Sequence, residues 1–390
     1  MELKWVKGNP LKMSAEEIRK ELLRLSELED AYSNQEAATK VFLNSIYGAF
    51  GSKYFVFFDL RVAEAVTLQG QDLIKYSEKV LNRYFNDFWH KDTKTHELLG
   101  ITEVGKVSGD FITYCDTDSA FLNLDLIYKN TNFPGTGKEF ILKIYEVFLA
   151  DYLNKCFDIY AKKFGTENGQ NFELEKVVSS GLWLAKKKYL YDTVWKDPGI
   201  HVKEGSEITA KGVEIVQSSS PPFARASLKK LVAHIFEKKR DFSVVEMTKI
   251  LKKLKGEFAL KDIEEISMSS SINDYEKYVI EDKERLVLEK GIPMHVRAAA
   301  TYNHLLFNSP YRKKYSAIRS GEKVKYYHVK GKTDDEVFAY IAGMYPIEFA
   351  PPINHDFQFN KSVVAPINRC VEAMGFPAIS PNLSVGTQLF

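Results

Sequence analysis

Residues 111–124 read FITYCDTDSAFLNL, an acidic centre between two runs of apolar and aromatic residues. Such runs on both sides of a polar turn predict a hairpin with Asp116 and Asp118 at its tip. Because residues i and i+2 of an extended chain share a face, the two carboxylates should project together, about 6–7 Å apart. Two close carboxylates repel each other unless a cation lies between them, and Mg²⁺ prefers oxygen ligands. The pair is therefore a candidate metal site, although Asp and Ser also form ordinary polar turns.

A second candidate site lies upstream, in the stretch KVFLNSIYG at residues 40–48. On a helix, Lys40, Asn44 and Tyr47 share one face, because they are spaced by four and three residues. That face offers a cation for phosphate, an amide and an aromatic ring, and Gly48 permits close approach of a ligand. A nucleoside triphosphate suits such a surface. The alternative is an ordinary amphipathic helix whose apolar residues pack in the core: Val41, Phe42 and Ile46.

A third candidate site lies downstream, in a strand predicted over residues 182–195. This strand carries Lys186-Lys187-Lys188 followed by Tyr189, and Glu175 precedes it as a candidate outer metal ligand. The lysines suit the phosphates or base edges of a nucleic-acid duplex. The alternative is an exposed charged strand without a ligand.

Helix signals are clear in the first part of the chain. Ser14 is a predicted N-cap, followed by glutamates that suit the positive end of a helix dipole. Further helices are predicted over residues 35–47 and 61–86, where apolar residues recur at helical spacing. Residues 54–59 between them indicate a short extended piece. The last 40 or so residues are rich in proline and asparagine and show little periodicity.

Composition excludes several classes of protein. The 54 Lys+Arg and 52 Asp+Glu give a net charge of only +2, so local basic patches must decide whether nucleic acid is bound. The 390 residues, 45% hydrophobic, suffice for two or three domains. Three cysteines without a Cys-x-x-Cys pair indicate a reducing cytoplasm rather than a disulfide framework or a zinc site. No apolar run approaches the ~20 residues of a membrane span, so we expect no membrane association.

Taken in order, the three sites resemble the motif series of B-family DNA polymerases of the T-even phage type: Lys-x-x-x-Asn-Ser-x-Tyr-Gly, Tyr-x-Asp-Thr-Asp-Ser and Lys-Lys-x-Tyr. The resemblance covers roughly residues 14–370. Besides the three sites, it includes these stretches: residues 54–61, 211–214, 218–221, 295–303 and 321–324. The resemblance implies an α+β fold. It would comprise a palm with an antiparallel sheet and a carboxylate hairpin, a helical fingers element and a mostly helical thumb. The implied parts are the second half of the fingers at 1–53, the palm at 54–220, the thumb at 221–360 and a C-terminal tail at 361–390.

The resemblance also implies an activity: addition of dNTPs to a primer 3′ end, directed by a DNA template and assisted by two Mg²⁺ ions, with Mn²⁺ as an alternative ion. Lys40 matches the residue that neutralises charge on the triphosphate. The positions of the palm carboxylates in the family are taken here by Asp116 and Asp118. The positions that form the dNTP pocket are taken by Asn44, Tyr47 and Gly48. The positions that contact the primer–template are taken by Lys187 and Tyr189.

One departure from the family concerns a palm aspartate. The motif Asp-x-x-Ser-Leu-Tyr-Pro is absent, as are the motifs of a 3′–5′ exonuclease, and only about 39 residues precede Lys40. We therefore expect a split polymerase, whose N-terminal partner subunit supplies that aspartate and the exonuclease through an interface above about 2,000 Å². The alternative is a non-catalytic remnant that binds primer–template duplex. An RNA-directed polymerase fits less well, because it would carry Tyr-x-Asp-Asp.

The C-terminal end suggests one more partner. Gly386-Thr387-Gln388-Leu389-Phe390 ends on two apolar side chains. It resembles the short peptides with which phage replicases bind a sliding clamp, through Gln388, Leu389 and Phe390. A frayed end is the alternative. A phage replicase would work in the cytoplasm of the infected bacterial host.

Overall fold

The computed structural model of the chain describes residues 6–7, 9–281, 286–331 and 336–384. The chain divides into two compact units, residues 1–132 and 133–390. Helices combined with antiparallel sheets confirm the predicted α+β class. The boundaries of fingers, palm, thumb and tail stay predictions.

The first unit is mainly helical. Its helices are α1 (Ala15–Phe50), α2 (Leu60–Arg83), α3 (Thr93–Leu99) and α4 (Asp125–Lys129), and its strands are β1 (Ile112–Asp116) and β2 (Ser119–Leu122). Short 3₁₀ turns lie at Pro10–Lys12 and Trp89–Lys91, and a π-helical turn at Tyr84–Phe88 extends α2.

Helix α1 begins at the predicted N-cap. The Ser14 hydroxyl accepts a hydrogen bond from the Glu17 N–H, and the Glu17 carboxylate accepts one from the Ser14 N–H at 2.7 Å. The helix then continues for 36 residues, so the prediction of two helices is wrong. Ser33 and Asn34 lie in its middle, and each weakens a helix by only about 0.5 kcal/mol. The extended piece predicted over 54–59 is also wrong, because successive turns occupy this segment.

The core of the first unit forms around aromatic rings at the end of α2. Phe85 and Trp89 are fully buried, with ring centroids 6.1 Å apart, and Phe111 lies 5.2 Å from Phe85. The Asn82 side-chain oxygen accepts a hydrogen bond from the Phe111 N–H at 2.8 Å. Because Phe111 directly precedes β1, these contacts anchor the base of the β1–β2 hairpin.

The second unit combines helices with two larger sheets. Its helices are α5 (Gly137–Ile144), α6 (Ala150–Lys163), α7 (Pro222–Lys238), α8 (Val244–Ala259), α9 (Ile263–Ile266), α10 (Tyr275–Tyr278), α11 (Met294–Phe307), α12 (His355–Phe359) and α13 (Ala365–Ala373). Its strands are β3 (Lys176–Ala185), β4 (Lys188–Lys196), β5 (Ile200–His201), β6 (Ile208–Lys211), β7 (Met268–Ser271), β8 (Val279–Glu281), β9 (Leu286–Leu288), β10 (Lys323–His328) and β11 (Val337–Ile341). None of the described helices is both long and apolar enough to span a bilayer.

Strand β4 is the centre of one sheet and pairs with β3, β5 and β6. The register places Ala185 opposite Lys188, so Lys186 and Lys187 form the turn between β3 and β4. The prediction that these two lysines lie within a strand is therefore wrong. We call residues 185–188 the lysine turn.

Two hydrophobic cores stabilise the second unit. One packs α7, α8 and α13 against the β4 sheet, and the other packs α11 against β10 and β11. Helices α12 and α13 lie in the stretch where the sequence shows little periodicity. A π-helical turn at Asn360–Val364 joins them and shifts the spacing of the buried side chains, which hides the helical pattern.

Candidate active site

The two aspartates of the hairpin lie at its tip. Asp116 is the last residue of β1, and Asp118 is the second residue of the two-residue turn before β2. The Asp118 N–H donates to the Asp116 carbonyl at 2.7 Å, and the Ser119 hydroxyl donates to the same carbonyl at 3.2 Å. The two aspartates are therefore placed by a tight turn, whereas the sequence argument assumed the alternation of an extended strand. Asp116 is half-buried and Asp118 is exposed.

Thr117, between them, has a left-handed backbone with φ 55°. For a β-branched residue this conformation is an outlier, and it costs about 1–2 kcal/mol. Its hydroxyl donates to the Asp116 carboxylate at 3.2 Å. Unfavourable backbone conformations of this kind persist where the surroundings enforce them, and they concentrate at functional sites.

The donor atoms at the tip suit a hard divalent cation, because both aspartates offer carboxylate oxygens. The neighbouring Cys115 offers a soft sulfur atom, which a hard cation such as Mg²⁺ does not prefer as a ligand. Burial raises the pKa of its thiol, and the carboxylates of Glu78 and Asp110 raise it further. Within the described part of the chain, no three His, Cys, Asp or Glu side chains gather as a metal cluster. The hairpin can thus offer two carboxylate groups to a divalent cation.

The predicted nucleotide-binding face lies on α1. Lys40, Asn44 and Tyr47 are all exposed. The Lys40 ammonium pairs with Glu36 at 2.6 Å, and the hydrogen bond between them lowers the pKa of Glu36. Exposed ion pairs of this kind are weak and are screened by salt, so an incoming phosphate can displace Glu36 at little cost. A Cβ at Gly48 would meet no described atom within 4 Å, so this face is open to a ligand.

The apolar side chains of α1 that lie beside and opposite this face are also exposed. Val41, Phe42 and Ile46 have 66%, 65% and 41% of their surface exposed. Among the described residues, α1 has no buried side chain. The alternative of an ordinary helix with these three residues in the core is therefore wrong within the first unit.

The lysine turn presents two exposed lysines, Lys186 and Lys187. Glu175 is also exposed, one residue before β3. Tyr189 differs from them, because it is only 2% exposed and its ring stacks on Tyr191 at a centroid distance of 6.1 Å. Tyr189 therefore supports the lysine turn from inside, and its ring offers little surface to a ligand.

Two further lysines lie beside these rings, a placement that was not predicted from the sequence. The Lys211 ammonium lies 5.8 Å from the centroid of the Tyr189 ring, and the Lys176 ammonium lies 5.5 Å from that of Tyr191. The only sequence signal is that Tyr189 and Tyr191 share one face of β4. Lys211 reaches that face through the pairing of β6 with β4, which no local pattern reveals.

The predicted clamp-binding residues, Gln388, Leu389 and Phe390, lie outside the described residues.

Comparison with known proteins identifies related sequences. A sequence model described as DNA polymerase family B matches residues 14–374. The DNA-directed DNA polymerases of Escherichia phage RB69 and Enterobacteria phage T4 are 24% and 25% identical to the chain, over 77% and 86% of its length. The DNA polymerase of Choristoneura biennis entomopoxvirus is 30% identical over 42% of the chain, which corresponds to 17% of that protein. The chain spans about a third of the length of the two phage relatives, 32% and 36%.

Proposed function

Because the chain belongs to DNA polymerase family B, we propose that it takes part in DNA-directed addition of dNTPs to a primer 3′ end. The observation that carries this proposal is the strained hairpin tip, where Thr117 holds Asp116 and Asp118 on either side of a left-handed residue. A polar turn without a ligand has no need of a β-branched residue in this conformation, since glycine or asparagine adopts it more easily.

In this proposal Asp116 and Asp118 would hold Mg²⁺ through their carboxylate oxygens. Bound Mg²⁺ would supply charge stabilisation for the entering and leaving oxygens of phosphoryl transfer. The half-buried Asp116 is restrained by β1 and by the Thr117 hydroxyl, while the exposed Asp118 is open to substrate. Glu175 is proposed as an outer carboxylate.

The exposed face of α1 is proposed to bind the triphosphate. Lys40 exchanges its weak partner Glu36 for phosphate oxygens and neutralises their charge. Asn44 places the triphosphate. Tyr47 and Gly48 line the nascent base pair, on the open part of the helix.

The lysine turn is proposed to bind the primer–template duplex. Lys187 contacts backbone phosphates, since exposed ammonium groups release counterions when they neutralise DNA. Tyr189 acts indirectly, because its buried ring fixes the strand that follows the turn.

We also propose that the chain works as one subunit of a split polymerase. Supporting this, α1 and the segment after it expose apolar side chains on a scale that soluble proteins usually cover with another surface. Phe42 and Ile46 point away from the nucleotide-binding face, because they lie about half a turn from Lys40 on the helix. We propose that these apolar side chains are covered by the partner subunit, which carries the remaining palm aspartate and the exonuclease.

A single substitution tests the catalytic proposal. Asp118→Asn keeps the shape of the side chain but removes its charge. We expect primer extension with Mg²⁺, in the assembly with the partner subunit, to fall by about 10³-fold or more, since several kcal/mol of charge stabilisation would be lost. Affinity for primer–template should change little. Asp125→Asn is the matched control, because Asp125 is an exposed aspartate at the start of α4 that pairs with Lys129.

Equal activity of the two variants would refute the role of Asp118. If the unaltered assembly bound duplex tightly but never extended a primer, the chain would instead be the non-catalytic duplex-binding remnant.

The partner surface has its own test. Phe42→Asp places a charge on the apolar side of α1 and should weaken association with the partner by about 30-fold or more, the effect of a typical interface hot spot. Ser33→Asp is the control, because Ser33 is an exposed polar residue on the same helix. Sedimentation velocity of each variant mixed with the partner measures the association. Indifference of the chain to the partner, or equal association of both variants, would contradict the split arrangement.

A further inference from the structure

Gly212 contacts the backbone of the lysine turn. It directly follows β6, whose last residue, Lys211, lies opposite Tyr189 on β4. A Cβ placed on Gly212 would lie 2.0 Å from the carbonyl oxygen of Lys187 and 3.1 Å from the carbonyl carbon. Real Cβ atoms do not approach backbone atoms this closely, so only glycine lets β6 end against the turn.

Both residues of this contact have left-handed backbones, with φ 65° at Gly212 and φ 60° at Lys187. Glycine adopts this conformation freely, whereas lysine does so at a cost, so Lys187 needs support from its surroundings. Gly212 can give that support because it is itself fixed. Its carbonyl accepts a hydrogen bond from the Gln217 side-chain amide at 2.9 Å.

We propose that Gly212 is a positioning residue that sets the backbone of the lysine turn and thereby aims Lys187 at the phosphates of the primer–template duplex. The inference rests on the proposed function of Lys187 as a DNA contact. Gly212 acts through that lysine and makes no DNA contact of its own. The ligand chemistry is that of a phosphate backbone, which an ammonium group reads by charge and distance rather than by sequence.

Gly212→Ala tests the inference, because the added methyl group must displace the Lys187 carbonyl. We expect the full chain to bind a primer–template duplex about tenfold more weakly. The dependence of log affinity on log salt should become shallower by about one, the value for one lost phosphate contact. Gly205→Ala is the matched control. Gly205 also has a left-handed backbone, φ 78°, in the same sheet region, but a Cβ there would meet no described atom within 4 Å.

A double-mutant cycle separates positioning from a general effect on the fold. If Gly212 acts through Lys187, Gly212→Ala should weaken binding no further in a Lys187→Ala background. Gln217→Ala provides a second route that adds no atom. It releases the Gly212 carbonyl, and it should weaken binding two- to threefold with the same shallower salt dependence (about the effect of one hydrogen bond).

The outcomes distinguish the inference from the function on which it rests. Unchanged binding by Lys187→Ala would remove the proposed DNA contact itself. Weaker binding by Lys187→Ala, together with equal binding by Gly212→Ala and Gly205→Ala, would overturn the positioning role alone. Additive losses of binding affinity in the double-mutant cycle would overturn the positioning role as well. If Gly212→Ala does not fold, Gln217→Ala decides, and unchanged DNA affinity and salt dependence of that variant would overturn the role.

Discussion

Replacing Thr117 by glycine should separate the stability of the carboxylate hairpin from its activity. A β-branched residue at φ 55° costs about 1–2 kcal/mol, which glycine removes. Glycine in turn destabilises the folded chain by about 0.5–1 kcal/mol, because it loses more conformational entropy on folding. The exposed hydrogen bond from Thr117 to Asp116, 3.2 Å long, is worth about 0.5 kcal/mol at most. The free energy of unfolding should therefore change little, by between about −0.5 and +1.5 kcal/mol.

Primer extension by Thr117→Gly should nevertheless fall by about 10²-fold. With glycine the turn samples several conformations, and a displacement of about 1 Å between groups that hold the reacting atoms has a cost of this size. Urea unfolding measures the first effect, and single-turnover extension with Mg²⁺ and the partner subunit measures the second.

Thr113→Gly is the matched control for this prediction, because Thr113 is an exposed threonine in β1 of the same hairpin, without a left-handed backbone. It should lose about 1 kcal/mol of stability and keep its activity. The reasoning fails if Thr117→Gly extends primers at the normal rate, or if it is destabilised as much as Thr113→Gly.

Three further predictions concern the fold and its metal dependence. Burial lowers the pKa of His96 below its ordinary value of 6.5, although Asp92 opposes this shift, so the unfolded chain takes up the proton first. The free energy of unfolding should thus decrease as the pH falls below about 6.5, by at most ~1.4 kcal/mol per pH unit from this group, and His96→Phe should flatten the curve. Tyr327→Phe should cost about 1–3 kcal/mol in urea unfolding, because the buried hydroxyl donates to the Pro351 carbonyl at 2.7 Å and that carbonyl would lose its partner. EDTA should stop primer extension yet leave the unfolding midpoint unchanged, since the described residues form no metal cluster of their own; a lower midpoint would reveal a structural metal.

The parts of the site that could be predicted are those whose signals are local. Apolar runs on both sides of Asp116 and Asp118 suffice to predict the hairpin, because strand alternation and turn propensity act over a few residues. Ser14 and the glutamates after it likewise predict a helix start, because an N-cap and the helix dipole act within the first turn. Even here the backbone of Thr117 was not foreseen, since its conformation is enforced by the hairpin and disfavoured by the residue type.

The parts that could not be predicted depend on distant segments. The contact of Gly212 with Lys187 exists only because β6 pairs with β4, and the register of such a pair is not written in either strand. The burial of Tyr189 has the same origin, because alternation along a strand shows which residues share a face but not which face is covered. Tertiary packing therefore decided which lysines and tyrosines of the third site reach solvent.

Helix α1 has none of its described side chains buried. This exposure should shorten the lifetime of a chain that has not assembled with its partner. Packing is the main source of helix stability in proteins, and α1 relies instead on its cap and on surface pairs such as Lys20–Glu16 and Lys40–Glu36. Its amides should exchange with solvent faster than those of the buried α7, and its backbone should open to proteases most often. In the proposed split enzyme, assembly would close this weak point. Surplus copies would be degraded, and the amounts of the two subunits would adjust to each other without dedicated control.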